Sequence, residues 1–116
     1  MIEFYKNNLQ IVQELRQLGQ DEIAISIVTQ AELYFGALNK AELERIRRHL
    51  SALHQITFDI SISKEFLRLI ETYSLSHQLS LPDALIASTA LVQNLELYTL
   101  YVKDFQFLSG LKLYKP

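Results

Sequence analysis

Apolar residues Ile2, Tyr5, Leu9, Val12, Leu15 and Leu18 recur at three- and four-residue intervals. That spacing predicts an amphipathic helix over residues 2–18, ending at Gly19. The pattern then changes. Residues 23–28 read IAISIV, an unbroken β-branched run too short for a buried helix, and predict a strand covered on both faces and ended by Thr29. TQAELYFGAL follows as a short helix interrupted at Gly36. In AELERIRRHLSAL acids and bases alternate at helical spacing, with Glu42 and Arg45, and Glu44 and Arg48, placed to pair on a solvated face. Residues 56–60, ITFDI, predict a short edge strand or an extended connection. Ser63 is placed to cap a helix that runs through Phe66, Leu67, Ile70 and Tyr73 and fades near Ser76 and His77. SLPDALIASTALVQN predicts a helix over 81–93, with Ser80 as N-cap, Pro82 in the first turn and Asn94 near its end. Residues 95–102, and residues 111–114 after a turn at Gly110, predict strands.

Helices separated by short apolar strands imply an α/β domain with a largely parallel sheet. At 116 residues the chain is one domain with a single modest core. Its 49% hydrophobic and 21% charged residues exclude a disordered or fibrous protein, and only three glycines and two prolines predict few, short loops and much helix. A net charge of −2 supplies no overall basic field, so a polyanionic ligand needs local help. Without cysteine, disulfides and thiolate metal sites are excluded. No signal-like or membrane-spanning apolar stretch stands out, so the expectation is a protein of the cytoplasm with no membrane partner.

Three acids stand at special places among these elements. Glu32 lies one turn into the helix after strand 23–28, Asp83 in the first turn of helix 81–93, and Asp104 just beyond strand 95–102. In a parallel sheet the carboxyl ends of strands and the starts of helices share one rim, where ligands bind. Carboxylates gathered there repel unless cations or protons neutralise them, and an all-oxygen donor set suits Mg²⁺ or Mn²⁺. A metal-bound water then serves as nucleophile while the ion polarises a phosphate. The same spacings have a purely structural meaning, because Thr29-x-x-Glu32 and Ser80-x-x-Asp83 both have the form of a helix capping box. Spacing leaves both readings open. His49, His54 and His77 lack the spacing of a helical zinc site, and no phosphate-cradling glycine loop or nucleophile elbow is present. Lys40, Arg45, Arg47 and Arg48 form the densest basic stretch and suit a solvated helix face better than a nucleic-acid contact.

Residues 23–36, IAISIVTQAELYFG, resemble the strand and T-x-x-E-L-x-x-G stretch of PIN domains, above all the VapC-type toxins of bacterial toxin–antitoxin pairs. Residues 82–90, PDALIASTA, are similar to the second signature of that family, an Asp opening a helix of small and apolar residues. Residues 95–111, LELYTLYVKDFQFLSGL, are similar to the third, in which a strand leads through a Thr to Asp-Phe and then Gly-Leu. The resemblance implies a PIN-like three-layer α/β/α fold over residues 1–116, with a short, mostly parallel sheet. It implies an endoribonuclease that hydrolyses RNA phosphodiesters at an acidic Mg²⁺ or Mn²⁺ site. By position, Asp83 matches a metal ligand, Glu32 a metal or water-orienting acid, and Asp104 an outer-sphere or second-metal acid. Thr29 and Thr99 match polar residues that shape the pocket rim. A cognate antitoxin protein and a homodimer are also implied, with Tyr5, Leu9, Tyr34 and Phe35 lining an antitoxin groove.

Two departures stand out. The family begins with an apolar strand ending in Asp, often Asp-Thr-Asn, and a helix over 2–18 leaves no place for it; Glu3 is the only acid nearby. A missing central strand would leave its neighbours with unpaired backbone groups, to be filled by direct closure, a partner chain or upstream sequence. Tyr101 stands where the family has Asn or Asp. These departures open a second reading, a truncated and catalytically impaired remnant that serves as an antitoxin-binding module.

Overall fold

The computed structural model describes residues 2–4, 23–99 and 101–114. Strand β1 (Ile2–Phe4) is followed by β2 (Ile23–Ser26), α1 (Ile27–Phe35), α2 (Lys40–Ser51), β3 (His54–Ile56), α3 (Ile60–His77) and α4 (Leu81–Gln93). Strand β4 (Glu96–Tyr98), a 3₁₀ turn (Val102–Asp104) and β5 (Lys112–Leu113) complete them. The strands form one five-stranded sheet in the order β3-β2-β1-β4-β5, and every neighbouring pair is parallel.

The first correction to the sequence reading lies at its start. Residues 2–4 are a strand rather than the opening of a helix, and that strand is the centre of the sheet. Ile2 stands opposite Ile23 on one side and Glu96 on the other, and Glu3 opposite Ala24 and Leu97. The gap expected from a missing central strand is therefore filled by the chain itself. Three residues are too few to distinguish a period of two from one of 3.6, and pairing with two neighbours decides between them. The rest of the expected 2–18 helix, with Tyr5 and Leu9, lies outside the described residues.

Side chains on the two faces of the sheet belong to separate cores. Ile23, Ile25 and Tyr98 pack with Leu33, Ile46 and Leu50 from α1 and α2. Ala24 and Leu97 point the other way, into Leu69 of α3, Ala84, Ile86, Ala87 and Ala90 of α4, and Phe105 and Leu108. Alternation along β2 and β4 thus produces three layers, α1 and α2 on one face and α3 and α4 on the other. Helix α4 is buried from Asp83 to Ala90 except at Leu85. Its small residues admit close packing, and Ser88 and Thr89 donate to the Leu85 carbonyl at 2.9 and 2.8 Å, so neither hydroxyl is stranded in the core.

Element ends shift from the sequence reading for local reasons. Strand β2 stops at Ser26, which caps α1, so Ile27 and Val28 are helical despite their branched side chains. Asp59 rather than Ser63 caps α3, its carboxylate accepting the Ile62 N–H at 2.8 Å. Asn39 caps α2 by accepting the Glu42 N–H at 2.9 Å, and Glu44 pairs with Arg47 rather than Arg48. The 56–60 stretch holds only the end of β3, which begins at His54. The 95–102 strand shortens to β4, because Tyr101 leaves the extended region at φ −110°, ψ 59°. Ser80 caps α4 as expected, and Asn94 ends it in the left-handed region at φ 55°.

Candidate active site

Connectivity decides where chemistry can gather. From β1 the chain moves outward through β2 to β3, then returns through α3 and α4 to β4 on the other side of β1. Such a reversal makes a topological switch point between β1 and β4, and ligands bind there, beyond the carboxyl ends of the strands. Helix α1 starts directly after β2, so its N-terminus lies on that rim. Only Asn94 and Leu95 separate α4 from β4, so α4 runs antiparallel to the strands and its N-terminus reaches the same rim. The turn at 99–104 leaves β4 there as well.

Asp83 sits in the first turn of α4. Its N–H is taken by Ser80 Oγ at 3.2 Å, which is half of a capping box. The other half is absent among the described residues: Asp83 is buried, and its Oδ1 has no hydrogen-bond partner. Buried polar atoms are nearly always paired, and an unpaired carboxylate oxygen is costly without a proton or cation to meet it. Asp83 has the burial and the open acceptor of a ligand, whereas a capping acid would spend its oxygens on backbone N–H groups.

Glu32 is a different case. With Ser26 as the cap, Glu32 is the sixth residue of α1, beyond the reach of a capping box, so Thr29-x-x-Glu32 does not cap this helix. Glu32 is half-buried, on a helix that packs against α4. Thr29 is fully buried; its N–H donates to Ser26 Oγ at 3.1 Å and its Oγ1 accepts from Ser26 Oγ, also at 3.1 Å. This pair holds the first turn of α1 at the end of β2. Ser26 lies inside the run Ile23 to Val28 and so reads as strand from the sequence; the signal for its role is Ser26-x-x-Thr29, a cap hydroxyl three residues ahead of a second hydroxyl.

Thr99 is half-buried, and its Oγ1 accepts the Tyr101 N–H at 2.9 Å, turning the chain at the end of β4. Tyr101 is exposed there, and Asp104, also exposed, closes the 3₁₀ turn with its N–H on the Tyr101 carbonyl at 3.0 Å. The strand order thus puts the starts of α1 and α4 and the turn after β4 at the same end of the sheet, but no three histidines or acids among the described residues close into a group able to hold a metal. Mg²⁺ usually takes one or two carboxylates and keeps several waters, so Asp83 fits such an ion as an anchoring ligand without a closed cage. His77 stacks on Phe107 with ring centres 4.3 Å apart, and Tyr73 meets both rings edgewise or tilted. No described helix is long and apolar enough to cross a membrane.

The profile of the PIN domain matches residues 4–105, which with the three-layer parallel fold defines the class of protein. The chain belongs to the PIN-domain family and is of the VapC type. A toxin–antitoxin complex from Klebsiella pneumoniae contains a chain 30% identical to it, aligned over 100% of both chains with a TM-score of 0.78. VapBC2 from Rickettsia felis, solved bound to a DNA fragment from its promoter, is 26% identical over 98% of both chains, with a TM-score of 0.74. DNA-bound VapBC from Salmonella typhimurium shares the fold at 18% identity, with a TM-score of 0.81 over 97% of this chain and 96% of that one. No curated protein sequence matches the chain significantly.

Proposed function

We propose that this PIN-domain protein is the toxin of a toxin–antitoxin pair and acts as a metal-dependent endoribonuclease at the rim between β1 and β4. The observation that carries the reading is Asp83 Oδ1, buried and unpartnered at the start of α4. Asp83 would hold Mg²⁺ or Mn²⁺, with Glu32 on the adjoining helix as second ligand or water-orienting base and Asp104 as outer-sphere support. The ion supplies an activated water and neutralises phosphate charge, which a chain of net charge −2 does not do through its overall field. The buried Ser26–Thr29 pair fixes the helix that carries Glu32, and Thr99 shapes the turn that carries Tyr101 and Asp104. RNA is the substrate, in the cytoplasm where a cognate antitoxin protein restrains the activity. The toxin–antitoxin complex from Klebsiella pneumoniae supports that partner, and a homodimer is part of the reading.

The test is RNA cleavage with added Mn²⁺, comparing the wild-type chain with Asp83→Asn. Cleavage by the wild type alone, abolished by a chelator, is expected. Tyr101, together with the lack of a three-acid group among the described residues, favours one rival, a protein that binds antitoxin without cutting RNA. Equal inactivity of both chains beside tight antitoxin binding would establish that rival.

A further inference from the structure

The turn that follows β4 is held from both sides. Thr99 Oγ1 accepts the Tyr101 N–H at 2.9 Å, the Tyr101 carbonyl accepts the Asp104 N–H at 3.0 Å, and the Val102 carbonyl accepts from the N–H groups of Phe105 and Gln106 at 3.1 and 2.8 Å. Phe105 is fully buried in the core shared with α3 and α4, and Leu108 is nearly so, which pins the far end of the turn. Between these anchors the chain exposes two large apolar side chains in succession, Tyr101 at 47% and Val102 at 45%, and then Lys103. A backbone fixed in this way presents an aromatic ring to water with little left to lose in conformational entropy when a ligand settles on it.

Position says what that ligand is. The turn leaves β4 at the end of the sheet where α1 and α4 begin, and α4 begins with the buried, unpartnered Oδ1 of Asp83. A nucleic acid cut at that end has neighbouring nucleotides to place, and their bases need a flat surface while their phosphates need positive charge. Tyr101 offers no carboxylate to a metal, but its ring is the surface a base stacks on. Lys103, two residues further on, is exposed and has no ion-pair partner among the described residues, so its ammonium group is open to a phosphate. Bases in a duplex are stacked on one another and cannot use such a ring; only an unpaired base can.

We propose that Tyr101 is the stacking platform for an unpaired base of the RNA and that Lys103 holds an adjoining phosphate, so that the site takes single-stranded RNA rather than duplex. This rests on the reading of that end of the sheet as an RNA-cleaving site, and it names the form of RNA the site accepts. Every base has a π face, so the platform selects for strandedness far more than for sequence.

RNA binding by the full-length chain in EDTA tests the assignment apart from cleavage. The probe is a short single-stranded oligouridine carrying one 2-aminopurine, moved along the strand from one oligonucleotide to the next, and the duplex of each with its complement. The wild type is expected to bind the single strand more tightly than the duplex and to quench 2-aminopurine at one position. Tyr101→Ala is expected to weaken single-strand binding by about fivefold to a hundredfold and to remove the quenching, whereas Tyr101→Phe keeps the ring and retains both. Lys103→Gln is expected to lower the slope of log K against log salt by about 0.7, the share of one single-strand phosphate, and to leave the quenching in place. No binding of the single strand, affinity and quenching that Tyr101→Ala leaves unchanged, an equal loss in Tyr101→Phe, or a duplex bound as tightly as the single strand overturns the assignment. Failure of the ribonuclease reading looks different: a chain that binds RNA through Tyr101 in EDTA but cuts none with Mn²⁺ ends that reading alone, and a chain that cuts RNA with the same KM and kcat after Tyr101→Ala ends this one alone.

Discussion

Asp83→Ala separates a ligand from a helix cap by the sign of its effect on stability. In the metal-free protein the substitution removes a buried carboxylate whose Oδ1 has no partner. An unsatisfied buried acceptor costs about 1–3 kcal/mol, and alanine is the better helix former. Against this stands the loss of an acid in the first turn of α4, which suits the helix dipole by about 0.3–1 kcal/mol. The balance favours the variant by about 1 kcal/mol, or roughly 3–5 °C in Tm for a chain of this length. Divalent metal reverses the order. At a metal concentration about a hundredfold above Kd the wild type gains about 2.7 kcal/mol and the variant gains nothing. Urea unfolding in EDTA and again in Mn²⁺ reads both quantities. A loss of about 0.5–2 kcal/mol in EDTA, with the same response to metal as the wild type, would mean that Asp83 merely caps its helix and would refute the reasoning.

Other substitutions probe the frame around the site. Ser26→Ala removes the α1 cap and leaves buried Thr29 without its hydroxyl partner, so thermal unfolding should show a loss of about 1–2 kcal/mol. Asp59→Ala should cost about 1 kcal/mol and Ser63→Ala less than about 0.5, in the order set by the observed cap. Phe105→Ala empties a fully buried position of the α3/α4 core and should cost about 3–5 kcal/mol in urea unfolding. Gly110 sits at φ 82°, so Gly110→Ala should cost about 1–2 kcal/mol, although space for the methyl exists.

Local signals in the sequence carried much of this fold. The β-branched run at 23–28, the Ser80 and Pro82 start of α4 and its Asn94 end each rest on chemistry within a few residues, and each is found near where that chemistry puts it. Strand β1 was illegible for a physical reason. Its three residues acquire their identity from β2 and β4, which lie some twenty and ninety positions further along the chain. Ser26 was hidden because a capping hydroxyl inside a β-branched run looks like strand until the helix after it is seen. The acids show the same division. That the elements carrying Glu32, Asp83 and Asp104 meet one end of the sheet follows from strand order, which local spacing suggests, whereas the burial of Asp83 and the exposure of Asp104 depend on packing that spacing does not contain. At the two capping-box spacings the structure shows Ser26 rather than Thr29 as the cap of α1 and leaves Asp83 Oδ1 without a partner.

A calorimetric titration of Mn²⁺ into the wild-type chain and into Asp83→Asn, Glu32→Gln and Asp104→Asn tests the central claim most directly. The account predicts saturable binding by the wild type, no detectable binding by Asp83→Asn, a weakened isotherm for Glu32→Gln and the smallest change for Asp104→Asn. No heat of binding to the wild type, or an isotherm that Asp83→Asn leaves unchanged, would contradict it.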